Sequence, residues 1–173
     1  MALRNDHSAP NFMLVILTPE DQRLANAFAI EDLREAGHES HGQDKAPFPI
    51  RLQGQQGEAA VRRAAGLPYK RHSIYGPDIP PNIAVRTVIR PRGLILRRCE
   101  KHGLLHLLVW QISYWEYELV GWLSGEELRT PRCWENGKEK LPSGRERCYL
   151  AEAAWLHKDL TTVFESVKNG TAA

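Results

Sequence analysis

The chain has 173 residues, 42% of them hydrophobic and 25% charged, with a formal net charge of +2. That is enough for one domain with its own core, and it excludes a low-complexity or disordered chain. No apolar run is long enough to span a bilayer, and three cysteines (Cys99, Cys133, Cys148) without a CxxC pair or a zinc-knuckle spacing argue against a disulfide or zinc framework.

In chain order, residues 1–11 read as a loose arm without the apolar segment of a secretory signal, which sets a cytoplasmic expectation. The short run FMLVIL leads straight into Thr18-Pro19-Glu20-Asp21, a helix start with a cap, a first-turn proline and two acids at the positive end of the dipole. Leu24, Ala27, Phe28 and Leu33 form its expected buried stripe, and Gly37 its end. Residues 38–49 read as a loop. A second helix is expected from about Gln53 to Ala65, where Gly57, Ala59, Ala60, Ala64 and Ala65 permit close packing around Glu58. Glu58 has a plainer reading too, as an exposed acid near a helix start.

Beyond Lys70 the pattern turns to strands. Ile83–Val88 alternates, with Ala84 and Arg86 on one face and Val85 and Thr87 on the other. Leu94–Arg97 is the next strand, Leu104–Ile112 a central buried one, and Tyr114–Leu123 its hairpin return. Ser124 to Glu127 predicts a short helical turn, 129–147 a polar surface excursion, Cys148–Ala151 an edge strand and Trp155–Leu160 a docking segment. The resulting expectation is α+β, with a mixed central sheet flanked by N-terminal helices. The expected divisions are a flexible arm (1–11), a single domain (12–165) and a disordered tail (166–173).

Charge is unevenly distributed. Between Arg62 and Lys101 stand ten basic residues and only Asp78 and Glu100 as acids, whereas residues 18–44 are acidic. One basic face on a near-neutral chain suits a phosphate backbone, and equally a solvated surface balanced by an acidic helix. The histidines His41, His72 and His102 fall into no HNH-like or Cys/His spacing, and His106 reads as a core histidine. Trp110 and Trp122 read as core residues rather than stacking platforms. GPDIPPNIAVRTV (76–88) is the segment with the most chemistry: a turn bearing Asp78, then a strand bearing Arg86. An acid at position 84 would complete a metal-nuclease layout, and alanine stands there.

With GQQGEAA (Gly57, Glu58), GPDI (Asp78), AVRT (Ala84–Thr87), RGLILR (92–97) and YELVGWLSGEEL (117–128) in this order, the chain resembles small PD-(D/E)XK nuclease-like proteins of phages and bacteria. The resemblance implies a restriction-endonuclease-like fold and a metal-dependent DNA endonuclease or exonuclease. Glu58 and Asp78 would bind Mg²⁺ (or Mn²⁺), with the acid expected at Ala84. Arg86, where the wider family has lysine, would hold the scissile phosphate, its alternative role being a structural ion pair with Glu58 or Asp78. Arg62, Arg63, Arg90, Arg92, Arg97 and Arg98 would contact the DNA backbone. The missing acid implies a silenced enzyme, by natural loss or by an engineered change. The rival readings are a non-catalytic DNA-binding protein and a phage-type inhibitor of a host protein, acting in the host cytoplasm. Partners are therefore DNA, a second copy in a homodimer, or a host protein, with no membrane association expected.

Overall fold

A computed structural model describes residues 13–39, 48–72, 76–90, 93–96, 102–136 and 148–171. The architecture is α+β. Four strands form a mixed sheet in the order β1 (Met13–Ile16), β5 (Glu116–Ser124), β4 (Leu105–Gln111), β2 (Ile83–Val88). β2 runs parallel to β4, and the other pairs are antiparallel. A separate antiparallel pair joins β3 (Gly93–Leu96) to β6 (Tyr149–Glu152). Among the described residues no helix is long and apolar enough to cross a membrane.

Alternation along the strands divides the core in two. Ile83 and Val85 of β2, Leu107 and Val109 of β4, and Tyr117 and Leu119 of β5 face one way. They meet α1 (Pro19–Glu39), α2 (Phe48–Ala64) and α5 (Thr161–Thr171) through Ala25, Ala59, Ala60, Val163 and Val167. Leu108, Val120 and Leu123 face the other way. They meet β3, β6, α3 (Gly125–Leu128) and α4 (Pro131–Asn136) through Leu94, Leu96, Leu128, Cys133 and Ala151. Val120 is the extra residue of a bulge between β4 and β5. The next residue, Gly121, has φ +148°, and a Cβ there would lie 2.7 Å from the His157 carbonyl oxygen. Gly121→Ala is therefore expected to cost about 1–3 kcal/mol by urea unfolding, since both backbone conformation and space exclude a side chain.

Several elements depart from the expectations. FMLVIL supplies the outer strand β1, whose central Val15 is buried while Leu14 and Ile16 are exposed. α2 begins at Phe48 inside the expected loop. α5 continues to Thr171 with Val167 fully buried, where a disordered tail was expected from residue 166. The start of α1 follows the sequence: the Thr18 hydroxyl accepts from the Asp21 amide (3.2 Å), and the Asp21 carboxylate accepts from the Thr18 amide (2.8 Å). Its buried face does not. Gln22, Ala25, Ala29 and Asp32 are buried, whereas Leu24, Ala27, Phe28 and Leu33 are only partly so. Polar partners on α2 account for this. Gln22 accepts from Gln56 (2.7 Å), and Asp32 accepts from Gln55 (2.8 Å). Trp110 and Trp122 are half-buried and pack against the two halves of the core, as expected of packing residues. Each indole N–H donates to a backbone carbonyl, of Ile89 (3.2 Å) and Asp159 (2.7 Å) respectively.

Candidate functional site

Gly57 brings α2 onto the sheet. A Cβ at this position would sit 1.7 Å from Thr87 Oγ1 and 3.0 Å from Thr87 Cβ. Only glycine permits that approach, and it sets the next residue, Glu58, beside the outer edge of β2. Asp78 reaches the same edge from the turn before the strand. Ile79 and Ile83 exchange backbone hydrogen bonds (3.0 and 2.9 Å), and Asp78 Oδ2 accepts from the Val85 amide at 2.6 Å. The carboxylate thus occupies a strand-edge position that a neighbouring strand's carbonyl would otherwise take.

Glu58 and Asp78 line one cleft of about 200 Å³, together with Asp32 of α1, Arg51, Gly54 and Gln55 of α2, and His72. Glu58 is 8% exposed and lies deep within its helix, which rules out the exposed helix-start role. Burial raises its pKa well above the ordinary carboxylate value; the charges of Asp78 and Asp32 push the same way, against Arg62. Asp32 is also shifted upward by burial, opposed by hydrogen bonds from Arg71 and Gln55. The neighbouring carboxylates of the cleft therefore oppose the ionisation of Glu58.

Arg86 approaches Asp78 from the opposite face of the sheet, Nη1 to Oδ2 at 4.0 Å. Ala84 shares that face, registered beside His106, and is 4% exposed. The Val85 amide that holds Asp78 belongs to the residue between Ala84 and Arg86 on the strand, and neither of those two lines the cleft. Among the described residues no three His, Cys, Asp or Glu side chains are grouped to hold a metal ion. Of the three carboxylates lining the cleft, Asp32 is engaged by Arg71 and Gln55, which leaves Glu58 and Asp78 as a pair. Mg²⁺ commonly takes one or two carboxylates and keeps waters or phosphate oxygens for its other positions, so the donor chemistry of this pair suits such an ion.

The expected DNA contacts separate. Arg62 is 1% exposed and cannot meet a duplex backbone from outside, which corrects its assignment. Its Nη2 donates to His72 Nε2, while Nε and Nη1 have no partner. His72 has a lowered pKa, from burial first and then from the charges of Arg62 and Lys70, so a neutral ring accepts that bond. Arg63 is half-exposed and pairs with Asp21 at 3.2 Å. Arg90 is exposed just past β2. Arg92, Arg97 and Arg98 lie outside the described residues, as does His41.

Asp32, Arg51, Gln55 and His72 are site residues that the motif reading passed over. A polar layer sets them. Tyr69 donates to the Gln55 carbonyl (2.9 Å) and to its side-chain oxygen, and Gln55 donates to Asp32. Arg71 ties Asp32 (3.0 Å), Glu35 and Glu31 (3.5 Å) together. The spacing Gln22-Ala25-Ala29-Asp32, a helical face with polar ends, is the sequence signal that would have revealed Asp32. No family model, curated protein or solved structure matches the chain.

Proposed function

We propose that this chain is a DNA-binding protein of restriction-endonuclease-like, PD-(D/E)XK type whose metal-dependent phosphodiesterase site is silent because alanine stands at position 84. One observation carries the reading. Glu58 from a helix and Asp78 from a turn line one cleft, at the edge of the strand that bears Arg86. Glu58 is buried, and the charges of Asp78 and Asp32 oppose its ionisation, a conflict that a divalent cation bound there would relieve.

Glu58 and Asp78 would hold Mg²⁺ or Mn²⁺, and the bound ion would supply Lewis-acid activation of a phosphate and of water. Arg86 would engage a phosphate oxygen at the strand edge, its planar donor set being suited to bidentate contact. Its guanidinium serves charge and orientation only, since it does not give up a proton near neutrality. Burial, with the charges of Asp78 and Asp32, raises the Glu58 pKa well above the ordinary carboxylate value, so Glu58 holds its proton more tightly than an exposed carboxyl does.

The test is Mn²⁺ calorimetry combined with Mg²⁺-dependent cleavage of single-stranded, double-stranded and branched DNA. The parent chain is expected to bind Mn²⁺ weakly and to cleave nothing. Asp78→Asn is expected to abolish binding. Ala84→Glu supplies the acid that the motif lacks and is expected to tighten binding by about tenfold or more, equivalent to about 1.4 kcal/mol, and to restore cleavage. An Ala84→Glu protein that folds, gains no metal affinity and leaves every substrate intact overturns the reading.

A further inference from the structure

The parallel run of β2 and β4 and the reversal at β5 bring four chain segments to one end of the main sheet. Exposed apolar side chains collect there: Ile89 (67% exposed) past β2, Ile112, Tyr114 and Trp115 in the turn 112–115, and Ile16 at the end of β1. The turn is pinned from several sides. Ser113 Oγ accepts from the Trp115 and Glu116 amides (3.2 and 3.1 Å), the Leu17 amide donates to the Trp115 carbonyl (2.9 Å), and Gln22 donates to the Tyr114 carbonyl. The Tyr114 and Trp115 rings meet edge to face at 5.1 Å while remaining 47% and 42% exposed. Two aromatic rings are thus presented to solvent on a fixed backbone.

We propose that this end of the sheet is a stacking platform for unpaired bases of single-stranded DNA, with Tyr114 and Trp115 as its aromatic surface. The inference rests on the reading of the chain as a DNA-binding protein, and it names the form of DNA. Base stacking on exposed aromatic rings tolerates any sequence and requires bases freed from a duplex. Cations lie on the path to the cleft. Arg90 is exposed just past the end of β2, and Arg86 stands further back on the same strand. From Val85, where Asp78 is held, to Ile89 is four residues of extended chain, about 13 Å. A single strand following the β2 edge would meet the carboxylate cleft, then Arg86 and Arg90, then the rings. A second copy of the chain is a poorer occupant. Five side chains per copy are few beside the roughly 20–30 residues a side of a standard stable protein interface.

The test is fluorescence anisotropy at low salt with a labelled oligothymidylate and a blunt duplex, on the full chain. Trp115→Ala and Tyr114→Ala/Trp115→Ala are expected to weaken oligothymidylate binding about tenfold and up to about a hundredfold, with duplex affinity moving less than about threefold. Trp115→Phe, which keeps a ring, is expected to retain the parent affinity. Melting curves establish that each variant folds, and Trp115→Ala alone serves should the double variant not fold. Unchanged oligothymidylate affinity in a folded Trp115→Ala protein overturns the platform. Should the parent bind duplex but not single strands, the platform falls while the DNA reading stands; should it bind neither, both fall. Loss of a parent dimer in sedimentation, with oligothymidylate affinity unchanged, assigns the surface to a second copy and overturns the proposal.

Discussion

Replacing Gly57 with alanine is expected to destabilise the fold by about 1–3 kcal/mol and to weaken any metal affinity of the cleft along with it. In an isolated helix the same substitution would be favourable by up to about 1 kcal/mol, because glycine has poor helix propensity. Here the new methyl would meet Thr87 Oγ1 at 1.7 Å, Cβ at 3.0 Å and Cγ2 at 3.2 Å. Rotating the threonine side chain cannot relieve the contact with its Cβ, so α2 must lift from β2. Lifting the helix moves Glu58 relative to Asp78, which is why stability and site geometry should fail together. A double-mutant cycle in urea unfolding separates the clash from general helix effects. Thr87→Ala removes both γ-atoms, one of them Oγ1, a buried hydroxyl without a partner. In that background Gly57→Ala is expected to be much less costly, and neutral or favourable if the remaining contact relaxes. A Gly57→Ala protein as stable as its parent would mean that glycine does not set the approach of helix to sheet.

The parts of the fold written into short-range chemistry were legible in the sequence. Thr18-Pro19-Glu20-Asp21 announced α1, and the capping box in which Ser124 and Glu127 bond reciprocally announced α3. The continuous apolar run that became β4 does lie between two neighbours in the sheet. The elements missed depend on distant partners. MLVI becomes a strand only because β5 pairs with it. The sequence could not order the apolar residues of α1 against its glutamines, because the burial of Gln22 and Asp32 requires Gln56 and Gln55 opposite them. The same limit applies to the site. Glu58 stood out among small residues and Asp78 in its turn, and the structure brings both to one cleft. Arg62 was read as a surface cation because one side of a helix looks like another until the packing is known. In the folded chain its guanidinium is enclosed, with His72 as its hydrogen-bond partner.

Glu58→Gln is expected to leave stability near that of the parent at pH 4 and to make the protein more stable than the parent at pH 8. The sign follows from where the proton resides. Burial, then Asp78, then Asp32 raise the folded-state pKa of Glu58 well above its ordinary value of 4.5. Below that ordinary value the carboxyl is protonated in both states and contributes no pH dependence. Above it the unfolded chain releases the proton while the folded chain retains it, so the folded state binds more protons and stability falls as pH rises. For one proton the slope approaches about 1.4 kcal/mol per pH unit, and it ends once pH passes the folded-state value. Glutamine has no proton to release, so subtracting its stability curve from the parent's isolates this contribution from that of the other acids. A divalent cation should reverse the deficit at pH 8 in the parent, because it binds the folded carboxylates and stabilises by mass action, and it should do far less for Glu58→Gln. The measurement is chemical unfolding from pH 4 to pH 8, with and without Mg²⁺. Parallel curves for parent and variant would mean that Glu58 ionises in the fold as it does in water, and the cleft would then lack the charge conflict on which its affinity for a cation depends.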